Sequence, residues 1–172
     1  MIRVFVDASV LFAACYSASG ASREIVRLAI QGEITLIISD VVQEEVRRNL
    51  TAKAPEASPF LDQLLELVPF EIVEATKQEV LSAQVYTELK DGPIVAAAIQ
   101  AQTDYLVSLD RVHLVEVPEV AEGSGLAIVL PGILLQIIRA RHKIIYLIWS
   151  TNAAMAYWWS WIQLRSKNVL CA

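Results

Sequence analysis

The chain has little cysteine, no acidic residue beyond Glu122 and no histidine-rich cluster. Its two cysteines, Cys15 and Cys171, stand in unlike contexts, which excludes a disulfide framework and suits a reducing compartment. Two histidines, His113 and His142, are too few and too far apart for a zinc site of the usual spacing, and both read as surface or packing residues. No basic lead runs into a long apolar core at the N-terminus, because Asp7 interrupts it. The expectation is therefore a cytoplasmic protein. Basic stripes interleaved with aromatics, of the kind that bind nucleic acid by charge and stacking, are absent, as are internal repeats and low-complexity stretches.

What is present is unevenly distributed. The 172 residues suffice for one domain with a sizeable core and an appendage. All 19 acidic residues lie between Met1 and Glu122 against nine basic ones, a net charge of −10. From Gly123 onward there are five basic residues and no acid, a net charge of +5. The apolar fraction, 55%, exceeds the ~45–50% usual for soluble proteins. Part of that excess is a run without charge from Ile144 to Ile162, flanked by Arg139, Arg141 and Lys143 before it and by Arg165 and Lys167 after. Its length and tryptophan content suit a membrane segment or an interfacial helix, although Ser150, Thr151 and Asn152 at its centre weaken a span. The boundaries are drawn at 1–143 for the domain and 144–172 for an apolar helical tail: an anchor, a docking helix or an aberrant extension.

Within the domain, strand and helix patterns alternate. Ile2–Val6, Ile34–Ile38, Phe70–Val73, Tyr105–Leu109 and Leu126–Leu130 read as strands. Helices are expected over Ala8–Tyr16, from Ser22 as a cap to Gln31, from Ser39 or Asp40 to Leu50, over Leu61–Val68, Thr76–Glu88 and Ile94–Gln102, and from Pro131. Thr51–Pro59 reads as a loop with two prolines, and Pro93 suits a first helical position. This alternation predicts an α/β fold, a doubly wound parallel sheet flanked by helices, whose ligands bind beyond the carboxyl ends of the strands.

Two carboxylates fall at such ends. Asp7 follows Ile2–Val6 and Asp110 follows the run from Tyr105. A charge leaving water at the mouth of a buried strand is costly unless paired, so two of them predict a shared pocket that holds a cation. Glu45, about one and a half turns into the second strand's helix, and Asp91, just before Pro93, complete an acidic set. Each has a plainer reading: Asp7 and Asp91 as caps, Glu45 as a solvated helix residue.

At these positions the chain resembles the PIN-domain family. Val4-Phe5-Val6-Asp7-Ala8-Ser9-Val10-Leu11 and Ser39-Asp40-Val41-Val42-Gln43-Glu44-Glu45-Val46 look like its opening half. Asp91-Gly92-Pro93-Ile94-Val95-Ala96-Ala97-Ala98 and Asp104-Tyr105-Leu106-Val107-Ser108-Leu109-Asp110-Arg111 look like its closing half. Ile128-Val129-Leu130-Pro131-Gly132 matches the end of the toxin-like branch, and the resemblance covers about Met1 to Ala140. It implies a metal-dependent ribonuclease, commonly the toxin of a VapBC-type toxin–antitoxin pair. Asp7, Glu45, Asp91 and Asp110 would hold the metal, with Ser9 and Ser108 orienting them or touching phosphate and Asp104 in support. The family most often has threonine where this chain has Ser108, which keeps the hydroxyl. Either Glu44 or Glu45 could be the inward glutamate. A homodimer and a small inhibitory antitoxin are the partners implied, beside RNA.

The chemistry agrees with the resemblance. Hard oxygen ligands without a His or Cys cluster select Mg²⁺ or Mn²⁺ over Zn²⁺, and such ions also offset the charge that would repel RNA. Arg47, Arg48 and Arg111 are the nearest candidates for phosphate contacts. An aspartate phosphatase or receiver-like domain with Asp7 as acceptor is disfavoured by Ser9, where that reading wants a second acid. The non-enzymatic alternative is a degenerate scaffold of the same fold that binds RNA or a partner, with membrane contact through the tail.

Overall fold

The computed structural model describes residues 1–147. The chain divides into Met1–Leu135 and a unit beginning at Gln136, of which the helical residues 136–147 are described. Five strands form one sheet in the first unit: β1 (Ile2–Val6), β2 (Ile34–Ile38), β3 (Glu71–Ile72), β4 (Tyr105–Val107) and β5 (Ile128–Val129). All neighbouring pairs are parallel, in the order β3-β2-β1-β4-β5. The doubly wound parallel sheet expected from the sequence is the fold.

β1 lies at the centre because both its faces are apolar. Val4, Phe5 and Val6 are fully buried, as are Leu36, Ile37 and Ile38 of β2 beside it. Near-continuous apolar runs of this kind belong in parallel sheets covered by helices on both faces. The chain leaves β1 toward β2 on one side and later returns to its other side as β4. That reversal opens a crevice at the carboxyl ends of β1 and β4, where an open α/β sheet takes its ligands.

The helices are α1 (Ala8–Tyr16), α2 (Ala21–Ile30), α3 (Asp40–Lys53), α4 (Ser58–Leu67), α5 (Lys77–Ala83), α6 (Gly92–Gln100) and α7 (Pro118–Ser124), with residues 131–147 helical as well. Ser39 caps α3, its hydroxyl accepting from Val42 N at 3.3 Å. Thr76 caps α5 in a reciprocal capping box with Glu79. In α6, Ala96, Ala97 and Ala98 are buried, small side chains that let the helix pack closely.

Three expectations are corrected. α2 starts at Ala21 after Gly20, whose φ of 113° no other residue adopts cheaply, so Ser22 lies buried inside the helix and does not cap it. The segment read as a loop from Thr51 to Pro59 is largely helical. α3 continues to Lys53, Pro55 opens a single 3₁₀ turn to Ala57, and Pro59 sits in the first turn of α4. Both prolines stand at helix starts, where a missing N–H costs nothing, so they mark beginnings rather than a loop. The helix expected over Thr76–Glu88 ends at Ala83. There Gln84 turns back and its Nε2 donates to Leu89 O at 2.9 Å.

None of the described helices is long and apolar enough to cross a membrane. Most of the tail assigned to 144–172 lies outside the described residues, since the description ends at residue 147.

Candidate active site

Asp7 prolongs β1 by one residue, its N–H donating to Val107 O at 3.0 Å, and then caps α1. The plainer cap reading holds for one oxygen, and the other meets two serines. Oδ1 accepts from Ala8 N at 2.7 Å, while Oδ2 accepts from Ser9 Oγ at 2.6 Å and Ser108 Oγ at 2.7 Å. The buried carboxylate is thus held by three donors, which meets the cost of taking it out of water.

Ser108 and Ser9 tie the two strand ends together. The Ser108 hydroxyl accepts from Asp110 N at 2.9 Å, and the Ser9 hydroxyl accepts from Leu109 N at 3.0 Å. These bonds draw the chain out of β4 after Val107, two residues earlier than Tyr105–Leu109 predicts, and turn Asp110 toward the crevice. Asp110 opens a turn of π-helix, Arg111–Val115, and its Oδ1 accepts from His113 N at 3.0 Å. His113 Nδ1 faces the same carboxylate at 2.9 Å from Oδ2. Burial pushes the Asp110 pKa up, but the His113 bonds and Lys90 outweigh it and hold the group below the ordinary value.

Asp91 is different. It stands at the N-cap of α6 yet makes no cap hydrogen bond, so its carboxylate turns into the crevice instead of onto the helix. The residue is only 6% exposed, and Oδ2 is buried without a hydrogen-bond partner. Among the described side chains Thr87 Oγ1 alone shares that state. Burial raises the Asp91 pKa to about 6; Lys90 pulls it down, and Asp110, Asp7 and Glu88 push it up again. The loop that carries it is packed against Gln84. A Cβ added to Gly92 would come within 2.6 Å of Gln84 Cγ, so Gly92 permits that close approach.

One cavity of about 520 Å³ joins these residues. Asp7, Glu45, Asp91 and Asp110 all line it, with Ser9 beside them. Glu44 borders it too, but is exposed where Glu45 is half-buried. Asp104 is not part of this arrangement. It lies at the opposite end of β4, where Oδ2 accepts from Arg3 N at 2.7 Å.

Lys90 and Glu88 are neighbours that sequence reasoning passed over, and His113, read as a surface or packing residue, is a third. Lys90 Nζ stands 3.6 Å from Glu88, 3.7 Å from Asp110 and 4.0 Å from Asp91, too far from Asp91 for a hydrogen bond. His113 Nε2 is 3.4 Å from Glu88 Oε1. The i+3 spacing from Asp110 was the available signal for His113, and the Lys90-Asp91 dipeptide was the signal for Lys90.

Among the described residues no three His, Cys, Asp or Glu side chains converge closely enough to hold an ion as they stand. Asp7 is turned to its serines and Asp110 to His113. The donor chemistry nevertheless fits a hard divalent cation: carboxylate oxygens, one of them buried with lone pairs that nothing satisfies.

A family model described as PIN domain matches residues 3–112. The chain belongs to the PIN domain family. Solved PIN-like structures agree with the fold. VapBC2 from Rickettsia felis, bound to a DNA fragment from its promoter, is 13% identical with a TM-score of 0.55, covering 75% of this chain and 98% of that one. PAE2754 from Pyrobaculum aerophilum is 20% identical with a TM-score of 0.57, covering 81% and 96%. No curated protein matches the sequence. The PIN match spans all four acids singled out above.

Proposed function

We propose that this PIN domain is a divalent-metal-dependent endoribonuclease that hydrolyses RNA phosphodiester bonds, the toxin of a toxin–antitoxin pair. The observation that carries the reading is the buried Oδ2 of Asp91, which accepts no hydrogen bond, in a cavity lined by four further acids. Such an oxygen calls for an explanation, and a cation held against it supplies one. Family membership and the likeness to VapBC2 support the assignment.

Asp7, Glu45, Asp91 and Asp110 hold Mg²⁺ or Mn²⁺ in this reading. When bound, such an ion lowers the pKa of an attacking water and stabilises charge on the phosphate and its leaving oxygen. The protein's own part is orientation. Ser9 and Ser108 fix Asp7 from one side, and the same Ser108 hydroxyl fixes the backbone of Asp110. Both serine hydroxyls donate to Asp7 Oδ2, and in this reading their part is to fix that carboxylate, with no covalent nucleophile needed. Lys90, beside Asp91 and Asp110, offsets negative charge as the phosphate approaches. A small antitoxin protein and a second copy of the chain are the partners in this reading, with 1–143 as the nuclease domain and 144–172 as its appendage.

A metal-free scaffold that binds RNA or a protein is the second reading, favoured by the failure of the four acids to converge as they stand. Cleavage of a mixed RNA pool by the full chain, with Mn²⁺ and with EDTA, beside Asp91→Asn, decides between them. Mn²⁺-dependent cutting that Asp91→Asn abolishes is expected. A folded chain that neither cuts nor binds Mn²⁺ in a titration moves the reading to the scaffold.

A further inference from the structure

The cavity has a second, cationic end. Along α3 one stripe faces it, with Glu45 followed by Arg48, Asn49 and Lys53. Spacings of three, four and eight residues place these side chains on one helix face. At 1.5 Å per residue, Arg48 and Lys53 stand about 4.5 Å and 12 Å along the axis from Glu45. The other arginines considered for phosphate are committed. Arg47 Nη1 pairs with Asp62 at 2.8 Å and Arg111 Nε with Glu116 at 3.5 Å. Arg48 and Lys53 make no ion pair or hydrogen bond among the described residues, although acids border the same cavity.

We infer that Arg48 and Lys53 form a phosphate subsite, which holds the RNA backbone along α3 on one side of the bond that lies over Asp91. The inference rests on the nuclease reading and adds to it the path of the strand. An acid end and a cation end in one cavity suit a polyanion that meets the acids at one phosphate and the cations at its neighbours. A lone mononucleotide would fill only one of the two. Arg48 brings a fork that matches phosphate oxygens, and Lys53 a point charge. Because both contact the backbone, they position the strand without reading its sequence.

The test uses the full chain carrying Asp91→Asn, so that RNA is not consumed, and a short labelled single-stranded RNA of mixed sequence. Its Kd is measured across salt concentrations, with and without Arg48→Gln/Lys53→Gln. Each phosphate neutralised on a single strand contributes about 0.7 to the slope of log K against log salt. Loss of two contacts therefore lowers the slope by about 1.4, and the affinity advantage of the parent shrinks about sevenfold between 50 and 200 mM salt. Arg47→Gln, on the same helix but turned to Asp62, leaves the slope unchanged. The inference is overturned if the double variant keeps the parent slope, if Arg47→Gln lowers it equally, or if the parent binds no RNA. The nuclease reading is judged separately, by Mn²⁺-dependent cleavage with the unaltered chain. A slope loss in a chain that neither cuts RNA nor binds Mn²⁺ keeps the subsite and moves the reading to the scaffold.

Discussion

The two edges of the parallel sheet carry the same kinds of side chain and treat them in opposite ways. At the edge where the strands begin, Arg3 donates to both oxygens of Glu71 at 2.8 and 2.9 Å and to Ala101 O at 2.8 Å. Asp104 accepts from the Arg3 backbone, so each carboxylate named at this edge is matched by a donor. Their shared hydrogen bond raises the pKa of Arg3 and lowers that of Glu71. At the edge where the strands end, acids outnumber cations and one oxygen of Asp91 is buried with no donor. The matched edge joins β1, β3 and the start of β4. The unmatched edge is held in place by the fold and stays chemically incomplete, which is what a site for a cationic ligand requires.

Substitution at Asp91 breaks this comparison most severely. Its folded-state pKa of about 6 lies above the ordinary 3.8, so the folded chain keeps a proton that the unfolded chain releases in between. The carboxyl therefore costs nothing below about pH 4 and lowers stability progressively up to about pH 6. A shift of this size corresponds to roughly 2–3 kcal/mol. In EDTA, Asp91→Asn is expected to melt several degrees above the parent at pH 8 and level with it at pH 4, read by thermal unfolding. Equal melting at both pH values would mean that Asp91 is not strained. With Mn²⁺ the order reverses, because only the parent gains stability from the ion.

Ser108 sharpens the comparison, since Asp7 is an acid of the same edge that is satisfied. Ser108→Ala removes one donor to Asp7 Oδ2 and the acceptor of Asp110 N, in a fully buried position. A loss of about 1–2 kcal/mol in urea unfolding is expected, with Ser108→Thr restoring most of it because the hydroxyl returns. If alanine and threonine behave alike, the hydroxyl is not what holds the two strand ends.

Arg3→Ala is the smallest change. Its pair with Glu71 is about one-third exposed, so the expected cost is at most about 1 kcal/mol by denaturant unfolding, with Mn²⁺ binding untouched. An effect on Mn²⁺ binding would show that the two edges are coupled through β1.

Legibility in the sequence followed how local each feature is. β2 coincides with its predicted limits because Ile34-Thr35-Leu36-Ile37-Ile38, four apolar residues around a β-branched threonine, is a short run that suits a buried strand. Asp7 and Asp110 were visible as acids at strand ends, and Pro93 as a helix opener, since each signal spans a few residues. Asp104 carried the same kind of signal, an acid beside a strand, but at the wrong end of it. Pro55 and Pro59 misled because two prolines read as a loop unless each is placed at the start of its own helix. Lys90 was passed over and His113 was read as a surface or packing residue because their meeting joins segments 23 residues apart.

By itself the sequence determined the alternation of strands and helices, and with it a parallel sheet and the edge at which the acids gather. Periodicity and composition act over short spans, and that is all they require. Only the tertiary structure decided which acids are satisfied. Asp7 meets Ser108 across 101 residues, Asp104 is taken by Arg3 across the same separation, and Asp91 is left with an oxygen that no hydrogen bond reaches. Whether a carboxylate is a structural partner or an open ligand depends on donors brought from elsewhere in the chain, and folding alone brings them.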